Sequence, residues 1–591
     1  MRAARAAAQA RVGGFVEAGH ARIVAIRAAR ATGCDNDRMQ PFSSVADSLR
    51  QRAREVPERM AMRCPGRGDY DTALTYGELD ARSQAIAAGL AVRGIGRGQR
   101  VVVMVRPTPE FFLLMFALFR MGAVPVLVDP GIDKRALRQC LAEAEPHAFI
   151  GIPLAMLAKA VLGWAKSARL RVSTGRRAWL ADATLGEVER EGAKTLRDFD
   201  GTNPDDIAAI LFTSGSTGVP KGVVYRHRHF IAQIDMLRSA FGIEPGGVDL
   251  PTFPPFALFD PALGLTSIIP DMDPTRPAAA DPRKLHAAVR RFGVTQLFGS
   301  PALMRVLAEH GEPLPGVMRV TSAGAPVPPE VVARMLQLLP EGAQLWTPYG
   351  ATECLPVAVI EGRELLALRE RTEAGSGTCV GQPVQGNDVR IIAISDAAIE
   401  TWADAREVPA GIVGEITVAG PSATDAYFNR DTQTKLAKIR EMAADGGERI
   451  VHRMGDLGYF DAQGRLWFCG RKSQRVVVDA TTTLCTEQVE PVFSVHPDVA
   501  RSALVGVPRD KAAEAGNSPV LCVELREGVA AAEWPRIHDE LRRMSEGHVH
   551  TAKVERFLRY PRKFPVDIRH NAKIGREKLA VWASGAISGP A

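Results

Sequence analysis

From Thr213 to Gly222 the chain reads Thr213-Ser214-Gly215-Ser216-Thr217-Gly218-Val219-Pro220-Lys221-Gly222. Glycine at three of these positions lets the backbone turn tightly and bring its N–H groups close to an anion. Four hydroxyls and the Lys221 ammonium supply further donors, so the segment has the chemistry of a polyphosphate grip. It is not a Walker A loop, because Pro220 precedes Lys221 and Gly222 follows it, where G-x-x-x-x-G-K-[ST] is required. That weighs against kinases and motor ATPases.

A grip of this kind needs a rigid strand behind it, and Ala208-Ala209-Ile210-Leu211-Phe212 runs straight into the loop. Similar β-branched runs stand at Arg100–Val105 and Ala123–Val128, and strand-like pieces recur at Gln296–Phe298, Arg319–Thr321 and Asp388–Ile394. Leu74–Leu79 reads as a strand or turn entering a helix that continues to Leu90. Strands alternating with amphipathic helical stretches predict an α/β fold with substantial parallel sheet. At Gly470-Arg471-Lys472-Ser473-Gln474-Arg475 a charged, Gly-led segment breaks the pattern. The expected organisation is a large multi-sheet N-terminal domain over 39–470 and a small α+β C-terminal lid domain over 471–591. Residues 1–38 are rich in Ala and Arg, with Glu17 the only acid before Asp35. They read either as a transit peptide or as the product of a start codon placed too far upstream.

Composition excludes several other roles. The 74 basic residues exceed the 67 acidic ones by a small margin for a net charge of +7. No basic face interleaved with aromatics marks a nucleic-acid surface. The eight cysteines show no C-x-x-C pair, and no histidines cluster at zinc-ligand spacing, so reduced buried thiols in a cytoplasmic protein are expected. The apolar run Phe111–Phe119 is too short to cross a bilayer and reads as a buried helix.

The run Thr213 to Gly222 resembles the signature of the adenylate-forming superfamily, which contains acyl-CoA synthetases, firefly luciferase and peptide-synthetase adenylation domains. Further motifs follow in that family's order, and the resemblance covers the chain from about residue 45 onward. Ser322-Ala323-Gly324-Ala325-Pro326 resembles the segment whose small residues lie against adenine. Tyr349-Gly350-Ala351-Thr352-Glu353 resembles the motif in which the aromatic ring packs on adenine, the Thr contacts phosphate and the Glu holds Mg²⁺. Arg453-Met454-Gly455-Asp456-Leu457-Gly458 resembles the segment whose Asp accepts from both ribose hydroxyls, which implies that role for Asp456 and a nucleotide contact for Arg471. Arg569-His570-Asn571-Ala572-Lys573-Ile574-Gly575-Arg576 carries Lys573, the matching catalytic lysine of the adenylation step. The resemblance implies nucleotide contacts at Thr213, Ser214, Gly215, Ser216, Thr217, Gly218, Lys221, Gly324, Ala325, Pro326, Tyr349, Gly350, Thr352, Asp456 and Arg471. It implies catalytic roles for Lys573, Glu353 and Thr352, with Glu353 as the metal ligand, ATP and Mg²⁺ as requirements, and a lid whose rotation serves two half-reactions.

The first half-reaction implied is carboxylate plus ATP giving acyl-AMP and pyrophosphate. For the second, Val478-Asp479-Ala480 places a methyl group where CoA-binding members usually have Gly on the pantetheine path. Ser473 stands where the hinge usually carries an Asp or Lys. Phe253–Gly264 lacks the His of many ligases and is aromatic and aliphatic, which suits a fatty substrate and equally a core segment.

Gly222–His227, Phe256–Gly264, Thr347–Pro356 and Ile568–Arg576 together most closely resemble the β-lactone synthetases of bacterial long-chain olefin biosynthesis. In that group a 2-alkyl-3-hydroxy fatty acid is adenylated and its own hydroxyl closes a four-membered ring. The resemblance implies other olefin-pathway enzymes as partners. His227 and His229 offer themselves as a base, although histidines after such a loop commonly serve as helix-start or packing residues. A fatty acyl-CoA ligase or carrier-loading enzyme is the alternative, separated by its dependence on a thiol acceptor. A non-catalytic relative need not keep Lys221, Glu353, Asp456, Arg471 and Lys573 together.

Overall fold

The structure, a computed structural model, describes residues 42–66, 69–129, 132–199, 201–213, 220–443, 446–509, 516–565 and 574–588. The 1–38 extension, Ser214–Gly218 of the phosphate loop and Lys573 lie outside the described residues. From Ser43 the chain forms one compact unit.

Four strands carry the first half of the site: β1 (Arg100–Met104), β2 (Val124–Val128), β3 (Ile207–Thr213) and β4 (Lys221–Arg226). They belong to a seven-stranded sheet ordered 183–184, 170–173, 148–151, β1, β2, β3, β4. All neighbours are parallel except β3 and β4, which form an antiparallel hairpin. The Val/Ile-rich sequences of β1 and β2 suit strands covered on both faces. Helix α1 (Pro109–Arg120) starts on a proline and buries every residue from Phe111 to Arg120, as expected of a helix apolar all round. The 72–75 strand enters the next helix through a capping box: the Thr75 hydroxyl accepts from Glu78 N, and the Glu78 carboxylate accepts from Thr75 N.

Helix α2 (His227–Phe241) leads from β4 toward a second sheet, fourteen-stranded among the described residues. Its parallel centre holds β5 (Val248–Pro251), β6 (Gln296–Gly299), β7 (Arg319–Ser322) and β8 (Gln344–Ala351), in that order. Helices α3 (Pro282–Phe292) and α4 (Pro301–His310) flank β6 in sequence. They share a core with Leu250, Leu297, Val320 and Leu345, the residues on one face of those strands. Beyond β8 the sheet turns antiparallel through β9 (Cys354–Glu361) and, further along, β10 (Glu448–Phe460) and β11 (Leu466–Arg471). The substantial parallel sheet expected from the alternation is therefore present, and the antiparallel continuation is additional.

The C-terminal part is small and α+β. Helix α5 (Thr486–Ser494) and two later helices pack with a three-stranded sheet of 499–508, 517–525 and 556–559. Val489, Phe493, Leu521 and Leu541 anchor a core cluster of its own. No helix among the described residues is long and apolar enough to cross a membrane. The seven described cysteines are all buried and free.

Candidate active site

Strands β8 and β9 are consecutive and antiparallel, and Ala351 pairs with Cys354. Thr352 and Glu353 therefore form the two-residue tip of a hairpin, the position at which side chains are free to leave the sheet. Gly350 is required there, because a Cβ would meet the Cys354 carbonyl at 2.9 Å. The tip is strapped from three sides. The Tyr225 hydroxyl donates to the Thr352 carbonyl. The Thr424 N–H and hydroxyl both donate to the Glu353 carbonyl, at 2.8 and 3.0 Å. The Tyr427 hydroxyl donates to Glu353 Oε1 at 2.7 Å. Beneath them the buried Lys438 ammonium donates to the carbonyl and hydroxyl of Thr424. Burial pushes its pKa down to about 8, while the Glu353 carboxylate acts in the opposite sense.

Strands β3 and β4 stand on either side of residues 214–219 in sequence, and their last pair is Thr213 with Lys221. Lys221 Nζ stands 5.0 Å from the centroid of the Tyr427 ring. The backbone ties the same places together, with Phe428 N donating to the Gly222 carbonyl at 2.8 Å and Val224 N to the Ala426 carbonyl at 3.2 Å. Tyr427 thus touches the lysine of the loop through its ring and the carboxylate of the hairpin tip through its hydroxyl.

On the antiparallel side, Asp456 of β10 is the register partner of Arg471 of β11. Its Oδ2 accepts from the Tyr349 hydroxyl at 2.7 Å. Its Oδ1 lies 3.2 Å from Arg471 Nε but accepts no hydrogen bond. Burial raises the Asp456 pKa, opposed by the Arg471 charge and the Tyr349 hydroxyl. A buried carboxylate oxygen left without a donor is costly unless a ligand hydroxyl fills the place.

Ser322–Pro326 leaves the end of β7 beside β8, its parallel neighbour, and Gly324 takes φ +100°, a conformation suited to glycine. Both segments emerge at the C-terminal edge of parallel strands, the edge at which open α/β sheets bind ligands. Phe253–Gly264 leaves β5 at that same edge. There Phe256 meets Phe298 edge-on at 4.6 Å, and the rings continue through Phe259 to Phe230, which stacks on Tyr225 at 4.6 Å. A chain of aromatic rings therefore runs from the Phe253–Gly264 segment to the tyrosine that straps Thr352.

Neither histidine at the start of α2 is placed for base catalysis. His227 is buried edge-on against Phe119 with no hydrogen bond to either nitrogen. His229 accepts from the Arg226 N–H at 3.0 Å and lies buried beside Arg228 and Asp425.

Residues 49–428 match the model of the AMP-binding enzyme family. The chain belongs to that family. It is 67% identical over 556 residues to the olefin beta-lactone synthetase of Xanthomonas campestris, an alignment covering 93% of this chain and 99% of that one. It is 65% identical over 551 residues to the Stenotrophomonas maltophilia protein of the same name, covering 92% and 98%. Among solved structures, the amide bond synthetase McbA from Marinactinospora thermotolerans shares the fold with a TM-score of 0.72 at 23% identity, covering 91% and 99%.

For this AMP-binding chain, the structure brings Thr213, Lys221, Tyr349, Gly350, Thr352, Glu353, Asp456 and Arg471 into one linked network, with Gly324, Ala325 and Pro326 on the neighbouring strand end. Just after Lys573, Arg576 is bound to Glu490 of α5 at 2.6 Å. Sequence reasoning missed Tyr427, Thr424 and Lys438. No local pattern in Thr424-Asp425-Ala426-Tyr427-Phe428 sets them apart.

Proposed function

We propose that the protein is an olefin β-lactone synthetase that adenylates a long-chain 2-alkyl-3-hydroxy fatty acid and closes it to a β-lactone. The observation that carries this is the 67% identity, along nearly the whole of both chains, to a protein of that name. In the first step a carboxylate oxygen bonds to the α-phosphorus of ATP and the bond to pyrophosphate breaks. In the second, the 3-hydroxyl oxygen bonds to the acyl carbon, its proton leaves, and AMP departs with the acyl–oxygen electron pair.

The residues divide this work. The 213–222 loop and Lys221 grip the phosphates. Tyr349 and the Gly324–Pro326 turn bracket adenine, and Asp456 Oδ1, free of any hydrogen bond, accepts from ribose. Thr352 contacts the α-phosphate, and Arg471 steadies the nucleotide. Lys573 bridges the attacking carboxylate and the phosphate, relieving the repulsion of two anions. The chemistry of Glu353 fits Mg²⁺, since one carboxylate completed by phosphate oxygens is a common set for that hard cation. Bound there, Mg²⁺ would neutralise phosphate charge.

The phenylalanine wall from Phe256 to Phe230 suits alkyl chains. Ala480 stands exposed in a turn closed by Asp479, whose carboxylate accepts from the Thr481 and Thr482 N–H groups. Its methyl group disfavours a pantetheine path, whereas an internal hydroxyl needs none and acts at high effective concentration. Residues 471–591 serve as the lid, turning at Ser473. The buried free thiols fit a cytoplasmic enzyme, working beside the pathway enzyme that decarboxylates the lactone.

The adenylation step is tested by isotope exchange between pyrophosphate and ATP. Exchange that depends on the hydroxy acid is expected, and its absence with an active preparation contradicts the reading.

A further inference from the structure

His310 closes α4, which starts at the ligand-binding edge of the sheet and runs back beside the strands, so its last turn lies at the opposite edge. There it meets His286 of α3 and Glu312, and one ligating atom from each of the three lies within 4.8 Å of the others. His310 Nε2 is 3.1 Å from Glu312 Oε2, and His286 Nδ1 is 4.0 Å from that same oxygen. The other carboxylate oxygen, Oε1, accepts from the Arg290 guanidinium. Arg290 thus fixes the carboxylate while leaving Oε2 turned toward the two imidazoles, the way a metal-binding carboxylate is commonly held by a partner behind it.

His286 supplies the second observation. Its side chain is 0% exposed, and neither ring nitrogen has a hydrogen-bond partner. A buried imidazole with no partner is costly, and a cation beside Nδ1 would satisfy it. His310 and Glu312, at 26% and 34% exposure, leave a path from solvent.

We propose that His286, His310 and Glu312 bind a divalent transition-metal ion, with zinc the best fit and water in the fourth position. Two imidazoles and a carboxylate are a known zinc set, and tetrahedral ligand atoms stand about 3.3 Å apart, reachable by small rotations of the two exposed side chains. The ion fastens α3 to α4 and the turn after it. It lies away from the nucleotide crevice and takes no part in adenylation, so this inference stands or falls independently of the proposed reaction.

The test is zinc titration of the full, tag-free, chelator-stripped protein against a chromophoric chelator, with Co²⁺ as a spectroscopic substitute. One ion per chain is expected, with the visible bands of a four-coordinate Co²⁺ site and a higher unfolding temperature on loading. H310A and E312Q should each weaken binding at least tenfold. H310A without metal should unfold like the metal-free parent and retain its AMP-forming activity. Absence of stoichiometric binding overturns the proposal, as does binding that H310A and E312Q leave unchanged.

Discussion

Asp456 and Arg471 face one another as register partners on β10 and β11, with Arg471 Nε 3.2 Å from Asp456 Oδ1. The strand pairing delivers an anion and a cation to one spot from positions far apart in local motif, and Tyr349 joins them through Asp456 Oδ2. The strands of the sheet therefore supply this part of the candidate site directly.

Asp456→Asn tests the ribose contact. The amide keeps the shape but offers weaker acceptance to two hydroxyls, and hydrogen bonds to a charged group are worth about 1.5–3 kcal/mol. A rise of about 10- to 100-fold in apparent KM for ATP is expected. Thermal unfolding should change little, because burial already disfavours the Asp456 charge and Arg471 stays partly solvated. Unchanged ATP dependence would remove Asp456 from the site.

Tyr427→Phe removes the hydroxyl that holds Glu353 Oε1 but keeps the ring beneath Lys221. A loosened carboxylate should show as a higher Mg²⁺ requirement and a kcat/KM for ATP lowered by about tenfold, the scale of one charged hydrogen bond. Titrating Mg²⁺ at fixed ATP reads it. A parent-like Mg²⁺ curve would show that the strap has no part in positioning Glu353.

Lys573→Ala should lower acyl-AMP formation by about 100-fold or more, the range seen on removing one oriented group that stabilises transition-state charge. Rapid-quench measurement of acyl-AMP in one turnover separates this step from ring closure. An unchanged rate would reassign the lysine.

His227 gives a pH signature with a definite sign. Burial pushes its pKa from 6.5 down to about 4, so the unfolded chain binds a proton over that range while the native chain does not. The stability tied to its neutral form is complete above pH 6.5 and lost as the pH falls toward 4, by up to about 3 kcal/mol. His229, His286 and His452 are shifted the same way, so the difference between parent and His227→Phe isolates this ring. Urea unfolding at about pH 7 and about pH 5 should show a smaller loss for the variant. Equal losses would contradict the assignment.

What the sequence made legible was local. The Ala208–Phe212 strand, the fully apolar Phe111–Phe119 helix and the strand-to-helix passage at Leu74–Leu79 each announce themselves within a few residues, and each is present. The site motifs were readable for the same reason, since each is a short run with its own chemistry. Tyr427 escaped because its bond to Glu353 spans 74 positions and depends on how two sheets meet. Lys438 escaped because a lysine is ordinarily a surface residue, and only the packed structure shows it buried under Thr424. The antiparallel half of the large sheet was likewise hidden, since hairpin pairing at β8–β9 and β10–β11 is set by turns and register, with no strand–helix alternation to signal it.

The central claim is ring closure after adenylation, and mass spectrometry of the product tests it most directly. The protein is incubated with ATP, Mg²⁺ and a long-chain 2-alkyl-3-hydroxy acid, with and without CoA, and with the 3-deoxy acid as control. The account expects a product lighter than the acid by one water, formed without CoA and absent for the 3-deoxy acid. A CoA thioester in place of that product would contradict the lactone and leave an acyl-CoA ligase.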